Sequence, residues 1–160
     1  MLKTPERIVR SWNELFSGYK QDPEKIFTVF EDTEDYTGLV LLKDIEFHSF
    51  CEHHMQIFSG KAHIAYIPNG RVVGVSKLAR LLDIYARRLQ IQERIGQQVT
   101  NDLMKYLNPL GAACLIEASH NCMKARGINK QNSVMVTSSL AGIFLTEPKT
   151  REELMMLIKK

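Results

Sequence analysis

The sequence predicts an α+β protein built on an antiparallel sheet, and three observations predict it. Apolar residues recur at helical spacing in three stretches, around residues 8–16, 78–89 and 95–107. Four runs, 38–50, 58–68, 112–119 and 134–145, have the length and composition of strands. Their order is helix, then β-β-α-α-β-β, then helix, which places the helices on one face of the sheet. A sheet covered on one face needs something over its edges and its other face, and oligomerisation is the natural answer. One domain is expected over 1–160, with an N-terminal helix at 1–20, a core at 38–146 and a C-terminal tail or helix at 147–160.

Each element has its own signal. Thr4-Pro5 caps and starts the first helix, Ile8, Val9, Trp12, Leu15 and Phe16 form its stripe, and Gly18 ends it. Residues 21–37 are acidic and turn-rich, a loop around the short apolar piece Ile26 to Phe30. The first strand pair follows, joined by a turn that holds Cys51 to His54. Ser76 is expected to cap the next helix, whose stripe is Leu78, Leu81, Leu82, Tyr85 and Leu89. Ile95, Val99, Leu103 and Leu107 mark another helix, which Asn108-Pro109-Leu110-Gly111 stops. After the second strand pair, Thr150 with Glu153 suggests a capped final helix.

Bulk composition narrows the function. A 160-residue chain that is 44% hydrophobic and 24% charged has globular composition. Its net charge of +3 is too mild to indicate nucleic acid, and no block of basic residues appears. Met1 to Pro5 begins no apolar signal-peptide core, and three cysteines do not make a disulfide framework. The chain reads as reduced, soluble and cytoplasmic. Cys114, inside an apolar run, is expected to be a small core residue.

The chemistry concentrates in two short clusters, Cys51-Glu52-His53-His54 and His120-Asn121-Cys122. Cys-x-x-His is a spacing that zinc favours, because thiolate and imidazole reach one ion across a tight turn. If residues 120–122 are extended, His120 and Cys122 point to the same side and both face that site. Spacing leaves two arrangements open: a closed staple with four protein ligands, or three ligands with an open position for catalysis. Five candidates for one ion leave one or two histidines free for proton transfer, and we favour Cys51, His54 and Cys122 as ligands, with His53 and His120 as acid/base groups at the rim.

Beyond these clusters the chain carries an ordered series of motifs: Thr4-Pro5-Glu6-Arg7, His63 to Pro68, Gly74-Val75-Ser76-Lys77-Leu78-Ala79-Arg80, Gln90-Ile91-Gln92-Glu93-Arg94 and His120 to Gly127. In these motifs, from residue 4 to about 155, the chain resembles GTP cyclohydrolase I. The resemblance implies a tunnelling fold (T-fold), assembled as a homodecamer of two face-to-face pentamers with active sites between subunits. It implies the conversion of GTP and water to formate and 7,8-dihydroneopterin triphosphate, the entry step to folate, other pterins or 7-deazaguanines. One Zn2+ per subunit is implied, held by Cys51, His54 and Cys122. His120 would then protonate an imidazole nitrogen of guanine, and His53 would act near the ribose.

For substrate binding the resemblance implies Glu93 on the guanine N1–H and 2-amino group, with Gln92 as a second contact and Ser76 on the ribose or phosphate side. Lys77, Arg80 and Arg126 match positions that hold the triphosphate, joined by Arg7 and Arg10 from a neighbouring subunit. Three features depart from the common pattern. Arg10 stands where many members have Lys, Val75 replaces the usual Leu, and the chain begins almost at the Thr-Pro-x-Arg motif that a helical extension often precedes. Two rival readings are a zinc-stapled module that binds guanine nucleotides without turnover, and another T-fold enzyme that relies on a nucleophilic cysteine.

Overall fold

The computed structural model describes residues 1–31 and 36–159. The acidic part of the predicted 21–37 loop at 32–35 lies outside the described residues. Helix α1 spans Thr4–Leu15, and strand β1 (Val29–Glu31) pairs antiparallel with β4 (Arg71–Val73) in a small two-stranded sheet. The main sheet holds β2 (Val40–Cys51), β3 (Ile57–Ile67), β5 (Leu89–Gln90), β6 (Gly111–His120) and β7 (Met135–Gly142), in the order β5-β2-β3-β6-β7. Every pairing is antiparallel except the short one between β2 and β5.

Alternation along the central strands separates two cores. Ala62, Ile64 and Tyr66 of β3, with Ala112, Cys114 and Ile116 of β6, face α2 (Val75–Ala86) and α3 (Gln92–Asp102). Leu78, Leu81, Leu82 and Tyr85 of α2 and Ile95 and Val99 of α3 are buried there, as their periodicity predicts. Leu103 and Leu107 continue the stripe in a wider π-type turn, closed by Asn108 at φ 53. The alternate residues Ala65, Ile67, Ala113 and Leu115 face the other way, against Phe144 of the short helix α5 (Ile143–Thr146) and Leu154 of α6 (Pro148–Lys159). Helices α2 and α3 thus share one face, while α6 covers one end of the opposite face.

Several local expectations are corrected. Lys3, not Thr4, is the N-cap of α1, without a side-chain cap bond, and the helix ends at Leu15 before a 3-10 turn. Gly18 sits inside that turn because a Cβ there would collide with the carbonyl oxygen of Ile84. Leu89 lies beyond the end of α2 and pairs with Phe50 as part of β5. The 134–145 run stops at Gly142, whose φ of 59 turns the chain into α5, so Phe144 is buried from a helix. Pro148 starts α6, leaving Thr150 inside it, since a proline's missing N–H costs nothing in a first turn.

Within β2 the register slips between Leu42 and Ile45, where Asp44 adopts φ 58. The N–H of Asp44, displaced from the ladder, donates to Nδ1 of buried His63 at 3.2 Å. His63, a motif residue, therefore serves the sheet.

Candidate metal centre and its surroundings

Cys51 is the last residue of β2, and the chain reverses there within four residues. Its N–H donates to Gln56 O at 2.8 Å, while Met55 N–H donates back to Cys51 O at 2.8 Å. Met55 takes φ 50, which closes the turn and brings His54 Nδ1 to 3.8 Å from Cys51 Sγ. On the far side of β3, residue His120 pairs with Phe58 at the end of β6. Residues 120–122 are not extended as the sequence reading supposed, because helix α4 (Asn121–Lys124) begins directly after His120. Cys122 therefore reaches the site from a helical turn.

The ligand atoms of Cys51, His54 and Cys122 lie within 4.8 Å of one another. Cys51 is buried and Cys122 half-buried, and both thiols are free. Burial, and next the neighbouring Cys51 thiol, push the Cys122 thiol upward, a penalty that a divalent cation between the two sulfurs would reverse. Two sulfurs and one imidazole form a donor set that fits Zn2+ with one position open. His53 is not one of the three mutually close groups, although its Nδ1 lies 3.8 Å from Cys51 Sγ, as near as that of His54; its side chain is 63% exposed, with Nε2 4.0 Å from Glu52. Cys114 is fully buried, with its thiol pushed up to about 12 by desolvation, so it is no nucleophile.

His120 is not one of the three mutually close groups, though it lines the same cavity. Its ring stacks on Phe58 with centroids 4.6 Å apart, and Nε2 lies 2.8 Å from Gln92 Oε1. Burial lowers its pKa, opposed by the charge of Glu93. Gln92, the first residue of α3, is buried and bonds Ile116 O, Met135 O and Thr137 Oγ1 through its amide nitrogen. Glu93 follows it and lines two spaces at once. One is a cavity of about 230 Å³ shared with the trio and both rim histidines, and the other is an open cleft of about 540 Å³ between α3 and β7.

The predicted cations stand elsewhere. β3 starts beside the metal turn, where Ile57 pairs with Phe50, and runs to Ile67, so roughly 30 Å of strand separates its ends. Helix α2 begins near the far end, where Val73 N–H donates to Tyr66 Oη. Ser76, Lys77 and Arg80 lie in its first turns. Ser76 is not the N-cap: Gly74 takes that place with extended ψ 133, and Lys77 N–H donates to its carbonyl, so the exposed Ser76 hydroxyl caps nothing. Arg7 and Arg10 project from α1, with Arg10 held to Glu6 at 2.9 Å, and Arg126 is exposed beyond α4. None of these six residues lines the metal cavity.

One pair escaped the sequence reading. Arg94 of α3 grips both carboxylate oxygens of Glu52, at 2.5 and 3.0 Å, and the guanidinium holds that carboxyl below its usual range. The bridge ties the metal turn to the helix that carries Gln92 and Glu93. Its partners lie 42 positions apart, so no periodicity marks them, although both stand in motifs already noted.

A profile of the family described as GTP cyclohydrolase I matches residues 1–159. Among curated relatives, GTP cyclohydrolase 1 of Wolinella succinogenes is 54% identical over 156 residues, covering 97% of this chain and 83% of that protein. The enzyme of the same name from Chlorobium chlorochromatii is 50% identical, covering 100% of this chain and 72% of its own. That of Bacteroides fragilis is 49% identical, covering 100% and 82%. Among solved structures, an archaeosine synthase QueF-Like in the apo form superposes with a TM-score of 0.53 at 19% identity, covering 65% of this chain and 93% of that chain. That likeness shows the fold, a T-fold.

Proposed function

The chain belongs to the GTP cyclohydrolase I family, and we propose how its residues divide the conversion of GTP and water to formate and 7,8-dihydroneopterin triphosphate. The observation that carries the proposal is the convergence of Cys51, His54 and Cys122 within 4.8 Å, beside His120 and Glu93 in one cavity. These three residues hold one Zn2+ per subunit. The ion, when bound, supplies a Lewis acid that lowers the pKa of water toward about 7, giving a nucleophile for carbon 8 of guanine.

The remaining steps fall to side chains. The Glu93 carboxylate accepts from N1–H and the 2-amino group of guanine, orienting the ring. His120 hands a proton to the imidazole nitrogen that departs when the ring opens, and His53 moves protons near the ribose. Glu93→Gln is expected to lower kcat/KM for GTP roughly 10–100-fold, the cost of a lost charged hydrogen bond, with zinc content unchanged. Steady-state kinetics with metal analysis check this.

A triphosphate carries about four negative charges near neutral pH and needs several cations around it. One chain does not gather them: its metal cavity of about 230 Å³ is below the roughly 300–1,000 Å³ usual for small-molecule sites. We assign Lys77, Arg80, Ser76, Arg7 and Arg10 to the site of a neighbouring subunit, with Arg126 joining from beside Cys122. Two features support a ring in which sheets join edge to edge, within a decamer of two pentamers. Among the described residues β7 has no outer partner, and β2 is paired on its outer side only at Phe50 and Cys51. Helix α1 buries no residue and leaves Ile8, Val9 and Trp12 46%, 59% and 42% exposed.

Free thiols at the metal centre fit a reducing cytoplasm, and no described helix is long and apolar enough to cross a membrane. The product would feed folate, other pterin or 7-deazaguanine synthesis. The test is direct: zinc-loaded, assembled protein should release formate from GTP and yield a pterin that fluoresces after oxidation. Tight GTP binding without formate would favour the binding-module reading instead.

A further inference from the structure

Gln92 carries a polar side chain in an otherwise apolar position, 1% exposed under the sheet. Its amide nitrogen faces Ile116 O at 3.0 Å, Met135 O at 3.0 Å and Thr137 Oγ1 at 3.1 Å. Two of these are carbonyls, which only accept, so the NH2 end must point toward them and Oε1 away. That oxygen lies 2.8 Å from His120 Nε2. An amide oxygen donates nothing, so Nε2 must carry the hydrogen. The ring plane is set by Phe58, parallel within 4°. No hydrogen bond to Nδ1 is formed among the described residues.

We propose that Gln92 is a positioning residue that fixes His120 as its Nε2–H tautomer, leaving Nδ1 as the nitrogen that exchanges the proton with the purine. It acts through His120 and not as a guanine contact. The amide's nitrogen is taken up by the strand carbonyls, its oxygen accepts from the imidazole, and the side chain is only 1% exposed, so it is buried against the strands and not presented to substrate. The strands supply the logic. Ile116 belongs to β6, which ends in His120, and Met135 and Thr137 belong to β7, so one buried side chain on α3 reads the position of both strands. A histidine that exchanges protons needs a partner that fixes its tautomer. The proposal rests on the acid/base role given to His120 above.

The experiment is a double-mutant cycle on the assembled, zinc-loaded protein, measuring kcat, KM and equilibrium GTP affinity. Gln92→Met should lower kcat about 10- to 100-fold, the usual cost of losing a group that orients a functional side chain, with KM within about twofold. In the His120→Ala background the same substitution should change neither the residual kcat nor GTP affinity beyond about twofold, because the residue it acts through is gone. A raised KM with kcat preserved, or an equal loss in both backgrounds, would overturn the proposal. Wild-type turnover in His120→Ala alone would overturn the acid/base role and the proposal with it, and that outcome shows in the single variant. Should Gln92→Met not assemble, Thr137→Val removes one of the amide's acceptors and is read the same way. A smaller kcat loss that vanishes with His120→Ala supports the assignment, and a loss that persists refutes it.

Discussion

Cys122→Ser is expected to empty the metal site and abolish formate release together. Its sulfur is one of three donors within 4.8 Å, and a serine hydroxyl at pH 7 is neither anionic nor soft enough to replace a thiolate on zinc. Loss of an outer partner of a metal ligand costs roughly 10–100-fold in affinity, so loss of a ligand itself should cost more. His120→Ala gives the contrasting result. Its imidazole stacks on Phe58 and bonds Gln92, outside the trio, so zinc should stay at one ion per chain while turnover falls about 10²–10⁴-fold, the usual contribution of a placed acid/base group. Metal analysis beside single-turnover kinetics separates the two. Release of metal by His120→Ala would mean that the ligand set is wrong.

The second large effect concerns the division of the site between chains. Lys77 and Arg80 stand on the first turns of α2, at the opposite end of the sheet from Cys51 and Cys122. If both halves must meet, they meet across a subunit boundary. The double variant Lys77→Ala/Arg80→Ala and the variant Cys122→Ser should each be nearly inactive as homogeneous assemblies. Randomly mixed in equal amounts, they should recover activity at about a quarter of the sites, those pairing an intact zinc half with an intact cationic half from the neighbour. Mixed assemblies, verified by native mass spectrometry, that recover nothing would place each complete site within one chain.

How far residues speak for themselves depended on whether their partners were near in sequence. The stripes of α2 and α3 announce their burial because helical periodicity is local, and Leu78, Leu81, Ile95 and Val99 are all interior. The Cys-x-x-His spacing announces half of a metal site for the same reason, a single turn. Local competition misled at the element ends. Ser76 has a good cap's chemistry, but an extended Gly74 already starts the helix, and Pro148 starts α6 ahead of Thr150. Ile143 to Leu145 continue an apolar run of strand-like composition, yet the positive φ of Gly142 ends the strand first.

Interactions over long separations left no such trace. Glu52 with Arg94, and Gln92 with strands β6 and β7, join residues 24 to 45 positions apart, and glutamine within a polar segment gives no hint of near-complete burial. Similarly, Asp44 was an ordinary strand residue until the bulge freed its N–H for His63. The cations assigned to the triphosphate are visible only as motif, since within one chain Lys77 and Arg80 stand at the opposite end of the sheet from Cys51 and Cys122.

The central claim is that this protein opens the guanine ring of GTP with a metal held by Cys51, His54 and Cys122. A zinc titration of the metal-stripped, assembled protein tests it most directly, with formate per GTP consumed as the readout. Formate release should rise in proportion to bound zinc and level off at one ion per chain, with one formate formed per GTP. Zinc-replete assemblies that form no formate, or turnover that is indifferent to the metal, would contradict it.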